Sequence, residues 1–351
     1  METKVSIVIP AYNGGDLLIR TLDSLCCQTF SNFEIIVVDD GSTDDTALRL
    51  AQYAEKEPRL RCFTVPNGGP ARARNFGIEQ ARGEYLYLCD ADDLSEPILL
   101  ERLVKEMDRG VQLAACGFIQ EQEADGKIKS STEFRAEAVQ TESNVEFLRV
   151  LPGLMQKQLM YVNWNKMYRM DIVRREKITF PEKYASCEDR LFNLAYFPFV
   201  DHFSFLSECL FHYYVRGDSS LVSRFLPSKY ESLEQFDSTL NRLYEQNNLL
   251  TPEVQAVNAR IFVKGVVACL ISLHHPSCKL NRSEKHAFLL EMLRSDSLKN
   301  ALAHLSGGIS YQVIGLVLKT KSPVLANMLG GIAGFAAKKL PSLIQKIKHR
   351  N

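Results

Sequence analysis

The chain carries no net charge: 42 lysines and arginines balance 42 aspartates and glutamates over 351 residues. No bulk field draws it to nucleic acid, and no nucleic-acid partner is expected. Neither C-x-x-C nor H-E-x-x-H spacing occurs, which removes the common zinc frameworks, and no G-x-S-x-G marks a hydrolase nucleophile. An apolar leader is also missing: Met1-Glu2-Thr3-Lys4-Val5-Ser6 runs straight into a β-branched stretch, so secretion is not expected. Long hydrophobic runs are scarce. Ser322 to Ala337 is uncharged but glycine-rich and shorter than the roughly 20 residues a spanning helix needs. The nine cysteines are an odd number without metal-like pairing, and Cys62, Cys89, Cys116, Cys209 and Cys269 lie in apolar runs, the usage of a reducing cytosol.

What is present is ordinary globular composition, 46% hydrophobic and 24% charged, in a chain longer than one core usually serves. Two domains are therefore expected. Val5 to Ile9, Phe33 to Val38, Arg61 to Val65 and Tyr85 to Leu88 are short apolar runs read as buried strands. Helical spacing follows each of the first three. Asp16 is placed to cap the first of these helices and Ser42 or Thr43 the second. Strands alternating with helices over the first ninety residues predict a right-handed, mainly parallel α/β sheet with helices on both faces.

Such sheets place ligands beyond the carboxyl ends of their strands. The fourth run ends there in Asp90-Ala91-Asp92-Asp93. A locally extended chain lets one of the paired carboxylates reach a hard cation and the other a neighbouring hydroxyl. Mg²⁺ or Mn²⁺ is often held by only one or two carboxylates, with water and substrate phosphate completing the shell. The alternative is a solvated turn that caps the following helix. The turn after the first strand is N-G-G, not the G-x-G-x-x-G of dinucleotide sites. Tyr12 there either stacks a base or packs on the sheet edge. Asp39 and Asp40 either accept hydrogen bonds from a base or ribose or cap a helix. Arg72 and Arg74, in the first turns of a helix, suit an anion or form a solvated face.

Taken in order, V-S-I-V-I-P-A-Y-N, V-V-D-D-G-S-T-D-D-T, N-G-G-P-A-R-A-R-N-F-G and G-E-Y-L-Y-L-C-D-A-D-D closely resemble the family 2 glycosyltransferases of the GT-A fold, over roughly residues 4 to 220. The resemblance implies a nucleotide-sugar donor, a divalent metal and transfer with inversion at the anomeric carbon. It places Pro10, Ala11, Tyr12 and Asp40 at the base and ribose pocket, Asp90 with Ala91 near the ribose or metal, and Asp92 as the metal ligand.

An inverting transfer needs a carboxylate to take the proton of the attacking hydroxyl. Glu188-Asp189, opening a helix expected from Arg190 to Tyr196, fits that need, and the resemblance puts the base at Asp189. Capping of the helix is the structural alternative. The resemblance also makes Lys166, in Trp164-Asn165-Lys166-Met167-Tyr168-Arg169, a candidate for a diphosphate or acceptor contact. Arg216, in the strand Phe205 to Val215 and its exit into Gly217-Asp218-Ser219-Ser220, is a candidate for the diphosphate; His212 is read as packed. Residues 120–144 are read as a polar surface excursion turning at Asp125-Gly126.

From Ser228 the chain turns helical: Tyr230 to Asn247, Glu253 to Leu273, Ser283 to Arg294 and Ser297 to Leu305. In the tail, Leu340, Leu343, Ile344 and Ile347 share a helical face among Lys338, Lys339, Lys346, Lys348 and Arg350, which reads either as a helix lying on an anionic membrane or as one packed on its own domain. The expected organisation is a catalytic domain over 1–225, with a nucleotide half to 117 and an acceptor half from 118, a helical region over 226–306, and an apolar, basic tail over 307–351. The reading is a metal-dependent inverting glycosyltransferase using Mn²⁺ or Mg²⁺. It takes a nucleotide-sugar donor, UDP-linked first, and a glycan or lipid-linked acceptor, in surface-polysaccharide synthesis at the cytoplasmic membrane face. A metal-dependent nucleotidyltransferase and an inactive membrane scaffold are the alternatives.

Overall fold

The computed structural model describes residues 2–216 and 224–339. The expected features at 217–220 and 340–350 lie outside the described residues. The described chain falls into two compact units divided after Gly217.

The first unit runs β1 (Val5–Ala11), α1 (Gly15–Cys26), β2 (Phe33–Asp39), α2 (Thr46–Ala54), β3 (Leu60–Thr64), α3 (Pro70–Gln80), β4 (Tyr85–Leu88), β5 (Leu94–Ser95), α4 (Leu99–Met107), β6 (Leu113–Ala124), β7 (Lys127–Phe134), β8 (Val139–Thr141), α5 (Asn144–Gln156), β9 (Lys166–Arg169), α6 (Met170–Arg175), α7 (Glu188–Tyr196) and β10 (Phe203–Arg216). One sheet contains all ten strands, in the order β3-β2-β1-β4-β9-β6-β10-β5, with β7 paired to β6 and β8 to β10. The first four strands pair in parallel as their apolar runs predict, with Ala11 opposite Asp39 and Asp39 opposite Thr64. Beyond β4 the sheet is mixed: β9 runs antiparallel between β4 and β6, and β6 and β10 are again parallel.

Burial explains why the first four runs are strands. Ile7, Val8 and Ile9 of β1 and Ile35 to Val38 of β2 are solvent-free, as in a sheet covered on both faces. Helix α3 lies directly on this surface. A Cβ at Gly77 would stand 2.4 Å from Val8 Cγ1 and 3.2 Å from Val38 Cγ2, so glycine sets the depth at which the helix docks. The edge strand β3 is open on one side, which leaves Cys62 exposed despite its apolar run. All nine cysteines are free thiols.

Some local expectations shift. Helix α1 begins after Gly14 without a side-chain cap, and Asp16 turns to pair with Arg49. Helix α2 begins only at Thr46, whose N–H donates to Asp44 Oδ1 (3.0 Å), while Ser42 and Thr43 tie the loop to Asn13. Helix α7 starts at Glu188, two residues before the expected Arg190, so both acids of the pair stand in its first turn. The polar excursion is the hairpin β6–β7, turning at Asp125 (φ 54°) and Gly126 (φ 67°) with most of β7 in solvent.

The second unit holds α8 (Lys229–Gln246), α9 (Pro252–Ser272), α10 (Arg282–Arg294), α11 (Asp296–His304), α12 (Ile309–Lys319) and α13 (Pro323–Lys339). Its four leading helices match the sequence periodicity. Helix α9 is the centre, packed by α8, α11 and α13. Among the described residues it alone is long and apolar enough to cross a membrane, and those three helices pack against it, with 44% of its apolar stretch buried.

Candidate active site

Parallel pairing brings the carboxyl ends of β1, β2, β3 and β4 to one edge, and the turns that follow are sewn together there. Asn13 donates its backbone N–H to Ser42 Oγ (2.8 Å) and accepts from the Thr43 N–H (2.8 Å). Asp39 is buried, with Oδ1 receiving the Ser42 N–H at 3.0 Å. Pro10 and Ala11 form the floor at the end of β1, half-buried and buried, and Tyr12 stands above them 52% exposed. That exposure answers the packing alternative for Tyr12: its ring is open to solvent.

Asp40 departs from its expected place. It is 4% exposed, and its two carboxylate oxygens receive the N–H groups of Gly68 and Gly69, each at 2.8 Å, while Asn67 donates to its carbonyl. Its carboxylate is engaged in fixing the turn that opens α3, and the structure does not present it to a base or ribose.

At the end of β4 the three aspartates diverge. Asp93 is fully buried, accepts the Tyr214 N–H at 2.8 Å, and leaves Oδ2 without a partner among the described residues. Burial, reinforced by Asp92 and Asp90, holds its carboxyl well above the usual range. Asp90 Oδ1 accepts from Arg74 Nη2 at 2.7 Å. The Asp92 side chain is half exposed at the mouth of the site. Burial of its surroundings and the charge of Asp90 push its carboxyl up to about 6 against the opposing pull of Arg216.

Arg74, which the sequence makes either an anion contact or part of a solvated face, is a buried hub. It is 5% exposed, and besides Asp90 its guanidinium meets Asp189 Oδ1 (3.3 Å) and Glu188 Oε1 (3.5 Å). Its Nε–H is buried without an acceptor among the described residues. One cation thus gathers carboxylates from β4 and α7. The signal was legible: Ala71, Arg74 and Ile78 recur at helical spacing on the buried face of α3, and a charge on such a face must have partners.

Asp189 is aimed by more than Arg74. Asn163, nearly solvent-free, donates Nδ2–H to its Oδ1 at 2.8 Å. Burial raises the Asp189 carboxyl above the ordinary carboxylate range, with Glu188 and Asp90 adding to the rise and Arg74 opposing it. The loop bearing Asn163 is in turn held from below. Asn193 donates to the carbonyls of Tyr161 and Val162, and Lys166 donates to those of Leu159 (2.9 Å) and Val162 (2.6 Å) and to Asn165 Oδ1 (2.7 Å).

Lys166 is therefore a correction. It is fully buried, burial pulls its pKa down to about 7, and its three donors are matched by three internal oxygens, so it braces the 159–165 loop and cannot reach a diphosphate. Asn163 and Asn193 carried no motif and were missed.

Arg216 comes to the opposite side of Asp92. Its Nη1 donates to the Asp92 carbonyl (2.8 Å) and stands 3.3 Å from Oδ2, while Nε donates to Glu123 at 3.0 Å. His212, between Glu96 (2.8 Å) and Glu121 (3.1 Å), is packed as expected. A divalent ion fits the Asp92 end. The donors are oxygens only, the side chain is half exposed, and like charge beside it raises its pKa, which a hard cation would reverse. No cluster of three or more metal-ligating side chains occurs among the described residues, so solvent and ligand oxygens would complete the shell.

Residues 6–176 match the family model described as glycosyl transferase family 2. The uncharacterised glycosyltransferase EpsJ of Bacillus subtilis (strain 168) is 31% identical over 232 residues, 66% of this chain and 67% of that protein. EpsH of the same organism is 29% identical over 300 residues, 84% of this chain and 83% of its own length. The fold is that of S. aureus TarS 1–349, solved in complex with UDP-GlcNAc: TM-score 0.67 at 21% identity, over 96% of this chain and 92% of that one. With its ordered motifs, its GT-A-like sheet and these relatives in agreement, the chain belongs to glycosyl transferase family 2.

Proposed function

We propose that the chain is an inverting, metal-assisted glycosyltransferase that moves a sugar from a nucleoside diphosphate to a hydroxyl of a glycan or lipid-linked glycan, in surface-polysaccharide synthesis at the cytoplasmic membrane face. One observation carries this reading: Arg74 draws Asp90 and Asp189, from two distant elements, to within 2.7 Å and 3.3 Å of one guanidinium at the ligand edge of the sheet.

Pro10, Ala11 and the open ring of Tyr12 receive the base, with Asp39 beside them. Asp90 and Ala91 line the ribose and diphosphate path. Asp92 would hold Mn²⁺ or Mg²⁺, which when bound supplies charge neutralisation for the departing diphosphate. Arg216 adds a fixed positive charge on that side. Asp189, held by Asn163, accepts the proton of the acceptor hydroxyl as its oxygen forms the new bond to the anomeric carbon. The bond from that carbon to the diphosphate oxygen breaks, and its electron pair leaves with the nucleotide. Attack opposite the leaving group inverts the centre. A base with a raised pKa suits this step, since it can hold the proton it takes. The TarS complex makes a uridine donor the first to try.

The test is transfer from a panel of nucleotide sugars, with products resolved by NMR. A nucleoside diphosphate released with an inverted linkage is expected. Pyrophosphate release would instead mark a nucleotidyltransferase, and a retained linkage would remove Asp189 as base.

A further inference from the structure

Helices α12 and α13 both turn large apolar side chains to water. The inward face of α13 is small: Ala326 is fully buried, and a Cβ at Gly330 would stand 2.6 Å from the Leu270 carbonyl oxygen of α9, so the helix backbone lies directly on its neighbour. Its large apolar side chains point out instead. Val324, Met328, Ile332 and Phe335, spaced four, four and three residues apart, form one stripe, with Ile332 and Phe335 each 66% exposed. Helix α12 buries Tyr311, Gly315 and Leu318 yet also exposes Ile309, Val313 and Leu316. An amphipathic helix of a globular unit buries its large apolar side chains, and an exposed apolar stripe marks an interaction site.

Charge identifies the partner. The chain as a whole is neutral, yet after Asp296 it contains eight lysines and arginines and no aspartate or glutamate, so the first 296 residues are net negative and the last 55 strongly positive. An apolar stripe in a basic segment, with Lys319 and Lys321 exposed between the two helices, is complementary to one surface in particular, acyl chains beneath anionic headgroups. A second copy of the chain would meet the same positive charge and be repelled.

We propose that the exposed apolar side chains of α12 and α13 dock on an anionic lipid surface, seated at the acyl boundary. This deepens the proposed placement of the enzyme at a membrane face. It names helices within the second unit, where the sequence reading pointed to residues 338–350.

The test is co-sedimentation of the full chain with two kinds of vesicle, phosphatidylglycerol mixed with phosphatidylcholine and phosphatidylcholine alone. Anionic vesicles are expected to bind at least about tenfold more tightly, with the difference shrinking in high salt. The double variant Ile332→Glu, Phe335→Glu should lose roughly tenfold or more of that binding while its thermal midpoint holds, because both side chains already face water. Leu48→Glu, which alters an exposed apolar residue of α2, should bind as the parent does. Equal binding to both vesicles, no binding, or a double variant that binds like the parent would overturn the proposal. A parent that self-associates, paired with a monomeric double variant and no vesicle binding, would assign the face to a second copy. Nucleotide binding measured without vesicles keeps this outcome separate from that of the transferase reading.

Discussion

Two carboxylates and one guanidinium decide the chemistry, and each makes a distinct prediction. Asp189→Asn keeps the shape and the Asn163 and Arg74 contacts but removes the proton acceptor, so transfer should fall by about 10³-fold while nucleotide affinity stays within about twofold. Calorimetric titration of nucleotide beside steady-state rates separates the two. Arg74→Met should cost roughly 3 kcal/mol of stability, read by urea unfolding, because Asp90, Glu188 and Asp189 lose the cation that neutralises them. Asp92 sets a pH limit. Its carboxyl is raised to about 6, so it is ionised above that pH and protonated below, and Mn²⁺-dependent nucleotide binding should weaken steeply as pH falls from 7 to 5. Much of this was legible, since D-A-D after an apolar strand and E-D before a helix are local patterns. Asn163 and Asn193 were not, for their meaning lies in partners 26 and 25 residues away.

At the scale of elements, the site depends on how α3 and the 159–165 loop are seated. Gly77→Ala would press a methyl group onto Val8 and Val38, and overpacking of that kind should destabilise by roughly 1–3 kcal/mol. Lys166→Met distinguishes support from contact. If Lys166 braces the loop that carries Asn163, the turnover rate drops and nucleotide affinity is unchanged; a lysine touching diphosphate would show weakened affinity. The parallel half of the sheet could be read from sequence because each strand is a continuous apolar run. Strands β5, β8 and β9 could not. They span only two to four residues, and β9 is a strand because β4 and β6 flank it, not because Lys166-Met167-Tyr168-Arg169 has a strand pattern. Asp40 was misplaced for a related reason: its N–H partners, Gly68 and Gly69, arrive from the far side of β3.

At the scale of the whole molecule, the ligand edge draws on residues from Pro10 to Arg216, which only a completed sheet assembles, so ligand binding should report on the fold and the site together. The most direct measurement is the thermal shift of the full chain with uridine diphosphate, with and without Mn²⁺, beside Asp92→Ala. A ligand at a hundred times its dissociation constant adds about 2.7 kcal/mol to stability, enough to resolve. We predict stabilisation by the nucleotide that requires Mn²⁺ and disappears in Asp92→Ala. A chain that no nucleoside diphosphate stabilises, or an Asp92→Ala variant that responds as the parent does, would contradict the account.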